Sequence, residues 1–276
     1  MTRKTSFYYS FLVMPKPRRE AITAVFDICR AIDDSVDLEP NAERARAELD
    51  RWRTEVARVF EGRAPDTAQG RSLQPFVEPF HLPRDQFGAL IDGVAMDITP
   101  RRYASFSELE PYCHRVASSV GLICAAIFGV EDPSALTYAR DLGVALQLTN
   151  ILRDVGVDYQ RDRCYLPLDD LEKFGCTEAD IARESARRIP GLANEPLRAL
   201  LAHQAARARG FFSRAARALP TQEGSRFVAA EIMRAIYWDL LCRIEAARFD
   251  VFPAVIRAPQ PVKAWLALKT WWMFRT

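Results

Sequence analysis

Gln147-Leu-Thr-Asn150-Ile-Leu-Arg153-Asp154-Val-Gly-Val-Asp158 is the stretch that decides how this chain folds. From Leu142 onward most positions are apolar: Leu142, Val144, Ala145, Leu146, Leu148, Ile151, Leu152, Val155 and Val157. The polar exceptions Gln147, Asn150, Asp154 and Asp158 are spaced three, four and four residues apart. That spacing places them on one face of a helix. A helix apolar on nearly all other sides is buried, and buried carboxylates are costly unless something pairs with them. The stripe is therefore expected to line a wet, charged cavity inside the core.

The same pattern occurs near residues 17–37. Ala21, Ile22, Val25, Ile28, Ala31, Ile32 and Val36 are apolar, and a polar line runs through Thr23, Arg30, Asp33 and Asp37, with Asp34 beside it. Asp33 and Asp37 are four apart, as are Asp154 and Asp158. Like charges at that spacing repel, so two such pairs on apolar helices call for a cation. Carboxylates, water and phosphate oxygens are the ligands of Mg²⁺, which rarely uses an all-protein cage. A metal between the two pairs would clamp a diphosphate, and Arg30 and Arg153 would bind its oxygens. The expected chemistry is ionisation of an allylic diphosphate, with apolar walls keeping water from the cation. A lone Asp-Asp-x-x-Asp is most often a solvated helix end. Two copies, each with an arginine on an apolar helix, outweigh that reading.

The remainder of the chain is helical in pattern. Beyond 17–37, helices are expected from the Pro40-Asn41 break to about Phe60, at about 71–80, 84–97 and 106–128, from Asp132-Pro133 to about 158, and over 192–219 and 222–250. A last one follows Pro261. Residues 61–70 read as a loop and 159–190 as less regular. Nothing alternates with a period of two for long, and no solenoid repeat occurs. The 276 residues, with 12 glycines and 17 prolines, read as one all-α domain spanning 1–276.

Composition narrows the function. Hydrophobic residues are 49% and charged residues 27%, as in a soluble globular protein, and a net charge of +2 gives no push toward nucleic acid. The six cysteines form no C-x-x-C pair, so zinc and a disulfide framework are not expected. No signal peptide or membrane-spanning run is read, which points to the cytoplasm. The histidines His81, His114 and His203 lack metal-ligand spacing. Arg207, Arg209, Arg214 and Arg217 read as a solvated helix face, and Phe211-Phe212 as core. The segment Ala264-Trp-Leu-Ala-Leu-Lys-Thr-Trp-Trp-Met-Phe-Arg275 is read first as a helix packed on the domain. Its second reading is a foot resting at the inner face of a membrane, where Trp and Lys are at home.

These motifs resemble the squalene and phytoene synthase family of head-to-head prenyl synthases. The match begins at Ser6-Phe7-Tyr8-Tyr9 and Met14-Pro15. It continues through Arg30-Ala-Ile-Asp33-Asp34-Ser-Val-Asp37 and Tyr112-Cys-His-Arg115-Val-Ala-Ser-Ser-Val-Gly121. It is densest at Gln147–Asp158 and Arg161-Asp-Arg163-Cys-Tyr165-Leu-Pro167, and extends to Ala235-Ile-Tyr237 and the last helix. Within the family the chain looks most like the hopanoid-pathway presqualene diphosphate synthases, through its short N-terminus, Asp92-Gly-Val-Ala-Met-Asp97, Tyr112-Cys-His-Arg115 and Arg163-Cys-Tyr165-Leu-Pro167. The resemblance implies an isoprenoid synthase fold, two farnesyl diphosphates as substrates, and Mg²⁺ as cofactor with Mn²⁺ as a substitute. NADPH is not expected for the presqualene diphosphate step. Partner enzymes of squalene synthesis are also implied. Asp33, Asp37, Asp154 and Asp158 then match metal ligands, with Asn150 beside them, and together with Arg30 they match the catalytic set. Ser6, Arg30, Gln147, Asn150, Arg153 and Tyr237 match diphosphate or substrate contacts, and Arg163 and Tyr165 match a flap that closes the site.

Three positions depart from the family pattern. Phe26 stands where tyrosine is common and removes a phenol, Val157 replaces a glutamate at the edge of the metal cluster, and Ser118 replaces a glycine beside the tunnel. The alternatives left open are a phytoene, dehydrosqualene or squalene end point, and a catalytically silent homologue that binds a synthase partner.

Overall fold

A computed structural model describes residues 10–11, 13–130, 132–187, 189, 191–220 and 224–274. Helices account for all the regular structure among them. In chain order they are α1 (Lys16–Asp37), α2 (Ala42–Phe60), α3 (Ala68–Val77), α4 (Arg84–Ala95), α5 (Phe106–Cys113), α6 (Ser119–Phe128) and α7 (Pro133–Tyr159). After these come α8 (Leu168–Lys173), α9 (Glu178–Ser185), α10 (Glu195–Ala218), α11 (Val228–Ala246) and α12 (Gln260–Met273). Their starts carry local signals. Asn41, Thr67, Asp132 and Asn194 each accept a hydrogen bond from a first-turn amide, and Pro133 occupies the first turn of α7, where no amide proton is needed. Thr177 and Asp180 form a capping box for α9 inside the stretch expected to be irregular.

The central helix is α7. It packs along α10 and against α6, α9 and α11, while α1 packs on α2, α3, α4 and α6. One contiguous cluster of buried apolar side chains runs from Phe11 to Phe252. A small second cluster, Ile232, Ile236 and Ala267, joins α11 to α12.

The run 106–128 is helical throughout but not uniformly α: His114–Ser118 form a π turn between α5 and α6. Such turns insert a residue and re-aim the side chains beside them. By length and composition alone this run is long and apolar enough to cross a membrane. Here it lies in the core, with Leu109, Ile123, Ile127 and Phe128 buried. Its crossing with α7 is close: a Cβ on Gly143 would lie 2.6 Å from Ser118 Cα, and one on Gly121 2.7 Å from Ala139 O. Only glycine permits this approach.

The arginine cluster of α10 also differs from expectation. Arg207 binds Asp170 (2.7 Å), Arg209 binds Glu245 (2.7 Å) and Arg214 binds Asp141 (3.3 Å). Each guanidinium also lies over an aromatic ring, of Phe106, Trp238 and Phe211 respectively. These arginines tie α10 to neighbouring elements, while Arg214 and Arg217 both keep exposed positions, so part of the expected solvated face stands. Phe211 and Phe212 are buried as expected, and all six cysteines are free thiols.

Candidate active site

A cavity of about 530 Å³ opens between α1, the α4–α6 run, α7 and α11. Its mouth is charged and its depth apolar. Leu90, Val94, Val116, Val120, Leu142 and Leu146 form walls, and Phe128, Tyr138 and Phe227 form a floor. The Tyr138 and Phe227 rings meet edge to face at 4.9 Å, and those of Phe128 and Phe227 at 5.5 Å. The Tyr138 hydroxyl donates to buried Glu231 (2.8 Å), which is also gripped by Arg234 (2.7 Å). Asp154 and Tyr138 are sixteen residues apart on α7, so mouth and floor are separated by ~24 Å along the helix axis.

Asp33 and Asp37 reach this mouth from α1, and Asp154 and Asp158 reach it from α7. The two stripes predicted from spacing therefore do face one space. Asp37 is the last residue of its helix, where the dipole disfavours an anion. Two arginines from the segment after α7 answer it: Arg163 at 2.5 Å and Arg161 at 3.2 Å. Asp154 is held by its neighbour Arg153, whose Nε donates at 2.8 Å. Among the described residues Asp33 and Asp158 have no such partner. Solvent reaches Asp33 through the mouth, but the surrounding protein strips away much of its hydration. That burial, then the charges of Asp37, Asp97 and Asp34, pushes its pKa up to about 6. Burial and then the charge of Asp154 push Asp158 up to about 7, against the pull of Arg163.

The carboxylates do not form a ready-made cage. Among the described residues no three His, Cys, Asp or Glu side chains converge on a single metal position. The donor set suits Mg²⁺ in the way that ion is usually held, by a few carboxylates with water and phosphate oxygens completing the shell. Asn150 supports the fit. Its Oδ1 is buried with no hydrogen-bond partner, while its Nδ2 reaches Gln147 at 3.4 Å. An orphaned carbonyl oxygen in the same cavity, one turn before Asp154 on α7, is a vacant acceptor for a cation or a water bound to one.

The other residues singled out from the sequence fall into place with differences. Gln147, Arg153, Arg163, Tyr165 and Tyr237 line the cavity. Tyr237 is buried, and burial raises its pKa while neighbouring Arg153 and Asn150 offset part of the rise. Arg30 lines the rim, mostly exposed, 3.8 Å from Asp34. Ser6 lies outside the described residues. Arg102 anchors the segment carrying Arg161 and Arg163, binding Glu178 (2.7 Å) and Asp162 (2.8 Å).

Two of the three departures are corrected. Val157 is exposed and does not line the cavity, so its loss of a carboxylate leaves the charged mouth intact. Ser118 turns its hydroxyl onto the carbonyl of Arg140 (2.7 Å) and does not narrow the tunnel. Phe26 does line the cavity, packed 5.2 Å from Phe11.

Asp97 was missed. It follows the end of α4 and accepts hydrogen bonds from Tyr165 (2.7 Å) and Tyr112 (2.8 Å), whose rings stack at 5.1 Å. Burial raises its pKa, and the two phenols and Arg163 offset part of the rise. Burial and the Asp97 charge raise both phenols in turn. All three residues line the cavity. The available signal was Asp97 within the quoted Asp92–Asp97 segment, but a single carboxylate has no spacing to read.

An all-α shell around a deep apolar cavity with acidic helices at its mouth defines an isoprenoid synthase. A model of the squalene/phytoene synthase family matches residues 2–264. The chain belongs to that family, whose members condense prenyl diphosphates head to head. It is 35% identical over 279 residues to a 15-cis-phytoene synthase of Synechocystis sp., covering 95% of this chain and 80% of that one. It is 38% identical over 206 residues to a presqualene diphosphate synthase of Rhodopseudomonas palustris, covering 73% of this chain and 72% of that one. A crystal structure of a dehydrosqualene synthase in complex with ligand superposes with a TM-score of 0.86 at 27% identity, covering 99% of this chain and 93% of the other.

Proposed function

We propose that this enzyme condenses two farnesyl diphosphates head to head into presqualene diphosphate, with Mg²⁺ as its metal. The observation that carries the reading is the pairing of Asp33 and Asp37 with Asp154 and Asp158 at the mouth of an apolar cavity that ends on aromatic rings. Relatives include both phytoene and presqualene diphosphate synthases. The choice of the shorter substrate is supported by the floor: three interlocked rings, one tied to a buried carboxylate, close the tunnel.

The bound metal would supply charge neutralisation of the leaving diphosphate. Asp33, Asp37, Asp154, Asp158 and the Asn150 carbonyl are the groups that would hold it. Arg153, Arg163, Arg161 and Arg30 supply guanidinium forks for diphosphate oxygens. Apolar walls keep water from the allylic cation, and the stacked rings of Tyr112 and Tyr165 present electron-rich faces to it. Cyclopropane closure breaks a C–H bond and releases a proton, which Phe26 cannot take. The phenol oxygen of Tyr112 or Tyr165 receives it as that phenol's own proton passes to Asp97. No hydride is needed, so the step requires no NADPH.

The protein works from the cytoplasmic side, with α12 as its contact to lipid. Trp265, Leu268, Trp272 and Met273 are exposed together on this helix, and Lys269 lies over the Trp265 ring. An amphipathic face with an aromatic edge and a cation suits the surface of an anionic bilayer, where the farnesyl tails partition.

The test is release of inorganic diphosphate from farnesyl diphosphate on addition of Mg²⁺. Asp33→Ala and Asp154→Ala are expected to abolish it while retaining helical circular dichroism. Turnover by both variants would remove the two-motif mechanism.

A further inference from the structure

The π turn of His114–Ser118 is a rare form that the proposed chemistry has not used. Tyr112, Val116, Val120, Cys124 and Phe128 stand four apart along this run, and all five line the cavity. In an unbroken α-helix each step of four turns the face by ~40°, so Tyr112 would stand ~160° away from Phe128. A π turn absorbs one residue, which removes ~100° and leaves ~60°. The turn therefore lets Tyr112, beside the charged mouth, and Phe128, on the floor, face one space.

Two adjacent serines hold it. The Ser119 amide donates to His114 O, five residues back, where an α-helix would send it to Arg115 O. The Ser119 hydroxyl donates to Arg115 O in its stead (2.5 Å). The Ser118 hydroxyl donates to Arg140 O of α7 (2.7 Å). Its single proton is thereby used, so His114 Nδ1–H donates to Ser118 Oγ (3.0 Å). Both serines are buried. From the other side α4 presses on the turn at Gly93, where a Cβ would lie 2.7 Å from Val116 Cγ1. Asp97 follows the end of α4 and accepts from Tyr112 (2.8 Å). The helix leading to the acceptor thus rests on the turn that orients the phenol.

We propose that Ser118 and Ser119 are positioning residues for Tyr112: they hold the π turn that keeps its phenol on Asp97 while the residues after it face the hydrocarbon. Without the two hydroxyls the turn relaxes toward α-helix, and Tyr112 rotates relative to the tunnel wall. The inference deepens the reading that Tyr112 and Asp97 take the proton, and its effect on turnover rests on that reading.

The test is ¹⁹F NMR of the whole protein labelled with 3-fluorotyrosine, without substrate, the Tyr112 signal being assigned by its loss in Tyr112→Phe. In the double variant Ser118→Ala, Ser119→Ala this signal is expected to leave its wild-type position. Ile123→Val, which trims a buried side chain of the same run that does not line the cavity, should leave it in place. With farnesyl diphosphate the double variant should lose about tenfold in kcat at unchanged KM, part of the ~10²–10⁴-fold that a placed proton acceptor contributes. If the double variant fails to fold, Ser119→Ala alone should move the signal, and Ser119→Thr, which keeps the hydroxyl, should restore it. An unmoved Tyr112 signal in the serine variants, an equal shift in Ile123→Val, or a loss confined to KM would overturn the proposal. The two readouts separate the claims. A shifted signal in a protein that does not turn over farnesyl diphosphate sinks the functional reading alone. Turnover with an unmoved signal in the serine variants sinks the positioning role alone.

Discussion

Replacing Asp158 by asparagine should make the metal-free protein more stable while destroying its activity. The carboxyl is raised from an ordinary value of 3.8 to about 7, by burial first and by Asp154 second. Holding it ionised in the folded state therefore opposes folding by roughly 4 kcal/mol as a ceiling above pH 7. Solvent entering the mouth reduces this, and a gain of about 2–4 kcal/mol is expected for Asp158→Asn at pH 8. The sign follows from linkage. The folded state binds the proton more tightly than the unfolded chain, so the penalty is complete above about pH 7. It shrinks by ~1.4 kcal/mol per pH unit below that and is gone near pH 4. The assay is urea denaturation in EDTA at pH 8, 6.5 and 5, comparing midpoints at constant slope. The advantage of Asp158→Asn should narrow steadily across the series. A variant less stable than wild type at pH 8, or an advantage independent of pH, would refute the picture of an under-compensated acidic cluster awaiting a cation.

Other consequences are accessible. Phe227→Ala removes the ring that joins Phe128 to Tyr138. It should lower stability by about 3–5 kcal/mol and raise the preference for geranylgeranyl over farnesyl diphosphate in a mixed-substrate assay. Joint replacement of Trp265, Leu268 and Trp272 by serine should abolish co-sedimentation with anionic vesicles and leave turnover of micellar substrate within about twofold, since each side chain is exposed.

The helices and the aspartate pairs were legible because both rest on the helical period. Asp33/Asp37 and Asp154/Asp158 stand four apart on otherwise apolar stretches, and a carboxylate in such a setting must face something polar. What was not legible came from contacts between distant segments. Asp97 becomes a site residue only because α5 and the segment after α7 bring Tyr112 and Tyr165 to it. The π turn leaves no mark in an apolar run that reads equally well as one α-helix. Arg207, Arg209 and Arg214 looked like a solvated face because Asp170, Glu245 and Asp141, which pair with them, lie 36 or more residues away. The short α9, by contrast, was announced by Thr177 and Asp180, a capping pair in a stretch judged irregular. Val157 and Ser118 could not be weighed from sequence. Their effect depends on which way a side chain points, and both point away from the cavity.

The most direct measurement is the product formed when the purified enzyme is given farnesyl and geranylgeranyl diphosphates at equal concentration with Mg²⁺ and no NADPH, identified by mass spectrometry. The account predicts presqualene diphosphate, with geranylgeranyl diphosphate left unconsumed. Phytoene as the product, with farnesyl diphosphate untouched, would contradict it.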